Sequence, residues 1–408
     1  MSSGSILVIN AGSSSLKFSL FRVDADDDLQ LAVRGQIDGI GIRPRLTVKD
    51  DTGSMLVERD FTVTEAREVK DAIALAGAWL RTKFEGEPLL AVGHRVVHGG
   101  SEYSRPVLID AAVYDTLEHL IPLAPLHQPH NLAAIRAVRE TQPQLPQVAC
   151  FDTAFHRTHP QLADLYALPW EYYEAGVRRY GFHGLSYEYI AAALPQVAPG
   201  IANGRVIVAH LGSGASLCAL RGGKSQDSTM GFSPLDGIPM GTRTGEIDPG
   251  VLLYLIRERA MSHTALEELL YKESGLLGLS GVSNDMRMLL ESRDPRARLA
   301  VDYFVHYVAK EIGGLAAVLG GLDGLVFTAG IGENSAEIRA RIVNACAWLG
   351  VTLDADANQR GGSRISAKGS AVSAWVVPTN EELMIARHTY ALVARVQTQK
   401  KEKGTETP

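Results

Sequence analysis

Two stretches of this chain, about half its length apart, share one pattern. Residues 8–20 read VINAGSSSLKFSL and residues 206–220 read VIVAHLGSGASLCAL. Each is an apolar run, a polar residue, a Gly/Ser turn and a second apolar run. Placing Asn10 on His210 puts Gly12 on Gly212, Ser13 on Ser213 and Leu20 on Leu220. Self-similarity at that separation points to an internal duplication, so two related halves are expected. The 408 residues agree, because they exceed what one hydrophobic core usually serves.

In the first stretch, Ile6–Ile9 is continuously apolar, and Leu16, Phe18 and Leu20 then alternate with Lys17 and Ser19. That is a strand, a turn and a second strand. A Walker A loop needs GxxxxGK[ST] leading into a helix. Here the second glycine and the final Ser/Thr are missing, and a strand pattern follows, so this is not a P-loop. A plain β-hairpin is one reading. The other is a hairpin whose backbone N–H groups form an anion nest, with serine hydroxyls and Lys17 as further donors. Asn10, a polar amide ending a buried strand, favours the second.

Strands and helices then mix. Val69, Ala72, Ile73, Ala76 and Leu80 fall at helical spacing, residues 89–97 (LLAVGHRVV) read as a buried strand, and residues 131–140 read as a short amphipathic helix. Val301, Phe304, Val305, Val308 and Ile312 share one face of a long helix. A strand is expected at 325–328, a Gly-rich turn at 329–334, a helix at 335–349, a short strand at 376–377 and a closing helix at 381–396. This is an α/β chain.

Composition narrows the function classes. Hydrophobic residues make up 46% and charged residues 21%, as in an ordinary globular protein. A net charge of −6 offers no basic surplus for nucleic acid or an anionic membrane surface. The three cysteines, Cys150, Cys218 and Cys346, form no CxxC pair, which argues against a disulfide framework or zinc site and fits a reducing cytoplasm. The opening MSSGSILVIN lacks the charged n-region of a signal peptide. The apolar stretch 315–331 is broken by Asp323 and several glycines, which disfavours a membrane span. The polar tail 397–408 is expected to be disordered.

Several stretches could carry chemistry. GHRVVHGG (93–100) crowds His94, Arg95 and His98 at a strand end, where a guanidinium can pair bidentately with a carboxylate or phosphate. In CFDTAFH (150–156), Asp152 is an N-cap or an isolated functional acid. RRYGFHGLS (178–186) sets His183 between glycines, which allows close backbone approach. GFSPLDGIPMGTRTGEIDPG (231–250) is a long loop around one arginine, Arg243, and such loops are more often functional than filler. FTAGIGENS (327–335) lacks the third glycine of the dinucleotide fingerprint, yet it precedes a helix whose N-terminal amides can face an anion. In PTNEEL (378–383), Glu381 and Glu382 open a helix, a common position for acids. Together these give two Gly/Ser nests, two loop arginines, a loop histidine, an isolated aspartate and an Asn/Glu pair able to hold a hard cation. Phosphoryl transfer uses such a set.

VINAGSSSLK and GHRVVHGG resemble the two signatures of the acetate kinase (acetokinase) family. FDTAFH, YGFHG, HLGSG, MGTRTGEIDPG, SGVSNDMR, AGIGENS and PTNEEL resemble its further motifs, in family order, from Ile6 to about Val396. The resemblance implies the actin/Hsp70/sugar-kinase superfold: two duplicated ribonuclease-H-like domains, 1–152 with 386–408 and 153–385, and an interdomain active-site cleft. It implies reversible transfer of the ATP γ-phosphoryl group to acetate, giving acetyl phosphate and ADP, with Mg²⁺ (or Mn²⁺), in a cytoplasmic homodimer. By motif, Asn10 and Glu381 match the metal positions and Lys17 an ATP-contacting lysine. Arg95 matches the acetate-binding arginine, Asp152 the catalytic aspartate, and His183 and Arg243 the transition-state stabilisers. His210, Leu211, Gly212, Ser213 and Gly214 match one ATP loop, Asp285, Met286 and Arg287 a second, and Gly330, Ile331, Gly332, Glu333 and Asn334 a third. Two positions depart from the family: Ser213 stands where asparagine is common, and Met286 replaces the usual phenylalanine beside the adenine. Both bear on the phosphoryl donor.

The neighbouring alternatives are a propionate or butyrate kinase, since one methylene changes binding by only about 1–3 kcal/mol, and an actin/Hsp70-like ATPase. GHRVVHGG has no role in the latter, and the incomplete fingerprint disfavours a Rossmann dehydrogenase.

Overall fold

The computed structural model describes residues 4–404. The chain forms two compact units, one made of residues up to Ala154 with those from Asn380 on, the other of Phe155–Thr379. The return to the first unit falls a few residues before the boundary expected at 385, so Glu381 belongs to the first unit.

The first unit is built on eight strands: β1 (Gly4–Ala11), β2 (Ser15–Val23), β3 (Leu29–Asp38), β4 (Arg45–Asp50), β5 (Met55–Asp60), β6 (Leu89–Val96), β7 (Val107–Leu108) and β8 (Gln147–Phe151). Their order in the sheet is β5-β4-β3-β2-β1-β6-β8-β7. The first five form an antiparallel meander, and β6 and β8 then join β1 in parallel. Helices α1 (Val69–Lys83) and α2 (Gln128–Thr141) cover one face, burying Ile9, Leu16, Phe18, Val92, Ala76 and Val138 together. The closing helix Glu381–Gly404 packs on the other face, because side chains alternate along β6 and Gly93, next to Val92, meets Ile385 and Thr389.

The second unit holds β9 (Arg205–Leu211), β10 (Ala215–Arg221), β11 (Lys224–Ser228), β12 (Gly324–Thr328) and β13 (Ser373–Val376), ordered β11-β10-β9-β12-β13. Helix α3 (Gly184–Val197) buries Tyr187, Ile190 and Leu194 against Val206, Val208, Cys218 and Val326. The unit also contains α4 (Pro249–Glu258), α5 (Met286–Glu291), α6 (Pro295–Leu319), α7 (Ala329–Asn334) and α8 (Ala336–Ala345). Helix α6 has clear local instructions: Asp294 caps the Arg296 N–H, Pro295 opens the first turn and Gly320 closes the helix in the left-handed conformation.

The duplication is visible in strand order. The run β3-β2-β1-β6-β8 and the run β11-β10-β9-β12-β13 share sequence and sense, antiparallel to the centre and parallel beyond it. Both match a ribonuclease-H-like sheet. The hairpins do not superpose residue for residue, however. Ala11 pairs with Leu16, whereas Leu211 pairs with Ala215. The second turn is one residue shorter, so the partner of Leu20 is Ala219, not Leu220.

Three further expectations change. Residues 329–334 form the helix α7, not a turn, with the Glu333 side chain satisfying the Ala329 N–H at 2.8 Å. The closing helix runs on to Gly404 where disorder was expected from 397, since Gln, Lys and Glu are good helix formers; residues 405–408 lie outside the described residues. The strands β3, β4, β5, β7, β8 and β11 were not anticipated. No helix among the described residues is long and apolar enough to cross a membrane.

Candidate active site

In the first unit, β1 and β6 end side by side in parallel and carry Asn10 and Arg95 at their carboxyl ends, where open α/β sheets place ligands. Arg95 Nε donates to Asp152 Oδ1 at 3.0 Å, Nη2 donates to Asp152 Oδ2, and Nη1 donates to Asn10 Oδ1 at 3.2 Å. Asp152 directly follows β8 and is buried. Its carboxylate serves a bidentate guanidinium pair, not a helix cap. Glu381, first in the closing helix, brings a carboxylate oxygen to 4.0 Å from Arg95 Nε. Lys17 is exposed on β2 opposite Asn10.

Electrostatics follow from this crowding. Burial opposes charge on Arg95, but Asp152 and Glu381 outweigh it and hold the guanidinium pKa above its ordinary value. Burial pushes the Asp152 carboxyl up, with Arg95 pulling it back. Glu381 is pushed up to about 7, first by burial and then by Asp152 and Glu382, against the pull of Arg95 and Lys17. The two histidines of GHRVVHGG serve the fold: His94 is buried with Nε2 against Gln147 Oε1 at 2.8 Å, and His98 Nδ1 accepts from the Gly100 N–H at 2.9 Å.

The second unit groups its residues around the β9–β10 turn. His183 is the N-cap of α3 with φ of 56°, a left-handed conformation unusual for a non-glycine residue. Its Nδ1 hydrogen-bonds Ser216 Oγ at 2.8 Å, and its ring stacks on His210 with centroids 4.2 Å apart. His210 Nδ1 hydrogen-bonds Ser186 Oγ at 2.8 Å. A Cβ added to Gly214 would lie 3.4 Å from His183 Nε2 and 3.7 Å from Arg243 Nη1, so the histidine, the turn and the arginine converge. Arg243 is steadied by its Nη1 donating to Pro234 O at 3.0 Å. Leu211 is the buried end of β9, with Gly212 following it at the turn. Ser213 is exposed at the tip, and its carbonyl accepts from the Gly241 N–H at 3.1 Å.

The remaining loops are placed as follows. A Cβ on Gly241 would lie 3.4 Å from Ser213 O and 3.2 Å from Asn284 O, which links the turn to the segment of Asp285, Met286 and Arg287. Asp285 caps α5 and pairs with Arg287, and that pairing pulls its carboxyl down to about 2. Met286 is buried. Gly330, Ile331, Gly332, Glu333 and Asn334 lie on α7. Glu333 Oε1 also accepts from the Thr379 N–H at 3.1 Å, and Asn334 Nδ2 donates to Gly330 O at 2.8 Å.

Two supporting residues escaped sequence reasoning. Arg339 on α8 is buried and donates to the carbonyls of Gly332 and Glu333 and to Asn358, pinning the end of α7. His156 Nε2 hydrogen-bonds the Phe182 carbonyl at 2.8 Å, holding the turn before His183. An arginine on an amphipathic helix gives no sequence signal; His156 lies inside FDTAFH, where the aspartate draws the eye.

Among the described residues, no group of three or more His, Cys, Asp or Glu could hold a metal ion. Mg²⁺ does not require one, since it uses one or two carboxylates together with phosphates and water. Glu381 offers hard oxygens, as do Asp152 and the Asn10 amide, which share theirs with Arg95. The donor set fits Mg²⁺.

Gly/Ser turns at the strand ends with fixed arginines near them suit phosphoryl transfer, the work of a phosphotransferase. The chain belongs to the acetokinase family, whose model matches residues 5–387. It is 59% identical over 389 residues to an acetate kinase of Nitrobacter hamburgensis, covering 95% of this chain and 96% of that protein. It is 56% identical to an acetate kinase of Rhizobium meliloti, covering 95% and 98%. The fold matches a propionate kinase of Francisella tularensis with a TM-score of 0.88 at 39% identity, covering 95% of this chain and 99% of that one. It matches an acetate kinase of Porphyromonas gingivalis with a TM-score of 0.85 at 36% identity, covering 96% and 100%.

Proposed function

We propose that this protein is an acetate kinase, transferring the γ-phosphoryl group of ATP to acetate and back again. The observation that carries this reading is Arg95, a guanidinium fixed by Asp152 and Asn10 at the strand ends, within a sequence 59% identical to a protein named acetate kinase. Acetate is ionised at pH 7, because its pKa lies with those of Asp and Glu, so it needs no base to become a nucleophile. The residues therefore position and neutralise.

Roles divide by unit. In the first, Arg95 binds the acetate carboxylate, Lys17 meets phosphate oxygens, and Asp152 orients Arg95 and contributes to the cation site instead of moving a proton. Asn10 and Glu381 would hold Mg²⁺, which when bound screens phosphate charge. In the second, His183 and Arg243 stabilise charge on the transferring group. Residues His210 to Gly214, Asp285 to Arg287 and Gly330 to Asn334 bind the nucleotide. With Ser213 exposed at the turn, a shorter donor than asparagine meets the phosphates there.

The structural likeness to a propionate kinase supports a second reading in which the acid is one methylene longer. An acyl-hydroxamate assay with ATP, Mg²⁺ and acetate, propionate or butyrate decides between them. The highest kcat/KM on acetate is expected, and no acid-dependent product would overturn both readings.

The protein is further proposed to be a cytoplasmic homodimer. Helix α4 buries none of its residues, yet carries Leu253 at 55% and Tyr254 at 47% exposure together with Val251 and Ile256. Such an apolar helix needs a cover. Light scattering is expected to give twice the chain mass, falling to one for Leu253→Glu.

A further inference from the structure

Strands β1 and β6 pair in parallel only as far as Ile9 and His94, although β1 runs to Ala11 and β6 to Val96. The ladder ends at that pair, just before Asn10 and Arg95. Continued at the same offset, the register would set Ala11 opposite Val96. The backbone groups just past the break, the Ala11 carbonyl and the Val97 N–H, would otherwise lie buried without a partner, which is costly. Both are met by one side chain. Asn131, in the first turn of α2 and 4% exposed, donates from Nδ2 to Ala11 O at 2.8 Å and accepts at Oδ1 from the Val97 N–H at 2.9 Å.

We infer that Asn131 is a positioning residue, its carboxamide acting as a side-chain rung that opens the β1–β6 ladder by a set width and so fixes the separation of Asn10 and Arg95. This inference rests on the acetate kinase reading for its kinetic consequence, though not for its structural one. The amide group is suited to the task because it carries a donor and an acceptor in one plane, as a peptide unit does. Asn10 is adjacent in sequence to the residue held by Nδ2. Arg95 lies two residues before the one held by Oδ1. The 3.2 Å hydrogen bond from Arg95 to Asn10 spans the opened gap, so any change in strand separation reaches it directly. The neighbouring Gln128 is a useful contrast. Its Nε2 donates to the carbonyls of His98 and Leu117, so it braces the same loop without touching β1.

Three variants test this by hydrogen exchange and by kinetics. In Asn131→Ala, the Val97 amide is expected to lose its protection while the Val92 amide keeps it. Turnover with acetate should fall about a hundredfold, the scale of a misplacement near 1 Å, with KM for ATP within twofold of wild type. Asn131→Asp keeps the acceptor and loses the donor, so Val97 should stay protected while turnover still falls. Gln128→Ala should lower the melting temperature yet keep kcat within a few-fold. Unchanged Val97 exchange in Asn131→Ala would overturn the inference, as would equal losses of kcat in Asn131→Ala and Gln128→Ala. A wild type that forms no acyl phosphate would refute the functional reading instead, and the exchange data would still decide the role of Asn131.

Discussion

At the residue scale the two arginines have separable tasks. Arg243 sits beside Gly214 and His183 and is steadied by a carbonyl, so it should act on the transition state. Arg243→Ala is expected to cost about 10³-fold or more in kcat with little change in KM for acetate. Arg95→Ala should also raise KM for acetate several-fold, and equal KM values in wild type and variant would contradict its assignment. Glu381 gives a pH prediction. Its pKa near 7 means that protons compete with a cation below that pH. The Mg²⁺ concentration for half-maximal rate should therefore rise as pH falls through 7, and Glu381→Gln should abolish that trend. Arg95, Asp152 and His183 could be singled out as candidates because they lie in short motifs of glycines and chemistry-bearing side chains, and the structure sets Arg95 against Asp152. Asn131 was not legible, because its partners are backbone groups far along the chain, and Arg339 was not, because an arginine on a helix does not announce which nearby carbonyls it will reach.

At the scale of elements, the contact between β6 and the closing helix is a tight constraint on the first unit. A Cβ on Gly93 would lie 2.3 Å from Thr389 Oγ1 and 2.6 Å from Ile385 Cγ2, so only glycine lets helix and strand meet. Gly93→Ala is expected to destabilise by about 1–3 kcal/mol, as overpacking does, and to displace Glu381 at the helix start. Chemical denaturation with a parallel Mg²⁺ titration would detect both. The strands with unbroken apolar runs, β1, β6, β9 and β12, could be read from sequence. The meander β3 to β5 could not: β5 is largely exposed and carries Glu58, Arg59 and Asp60, so its place at the sheet edge is set by pairing and not by burial. The failure at α7 has a different cause, since its helical turn depends on Glu333 folding back to Ala329, which glycine counting cannot anticipate.

For the whole molecule, buried histidines outside the proposed chemistry add their own pH dependence to stability. His94 and His156 are buried, and burial pushes each down to about 4. A pKa lowered in the folded state means that the unfolded chain binds the proton more readily between about pH 6.5 and 4. The contribution of these two histidines is therefore full above 6.5 and is lost as pH falls through that window, by an amount on the order of a few kcal/mol per residue. Denaturation midpoints measured from pH 7 to 4 should show the decline, and replacing His94 with a neutral isostere should flatten it. The route of the chain has its own consequence. The polypeptide leaves the first unit after Ala154 and rejoins it only at Asn380, so during synthesis the whole second unit emerges while the first still lacks the helix that covers β6, β1 and β8. A nascent chain whose residues have emerged as far as Thr379 should already hold a protease-resistant second unit, while the sheet of the first unit still has one bare face. Because Glu381 lies just past that point, the ribosome delivers the last proposed ligand for the cation only when the scaffold around it can close.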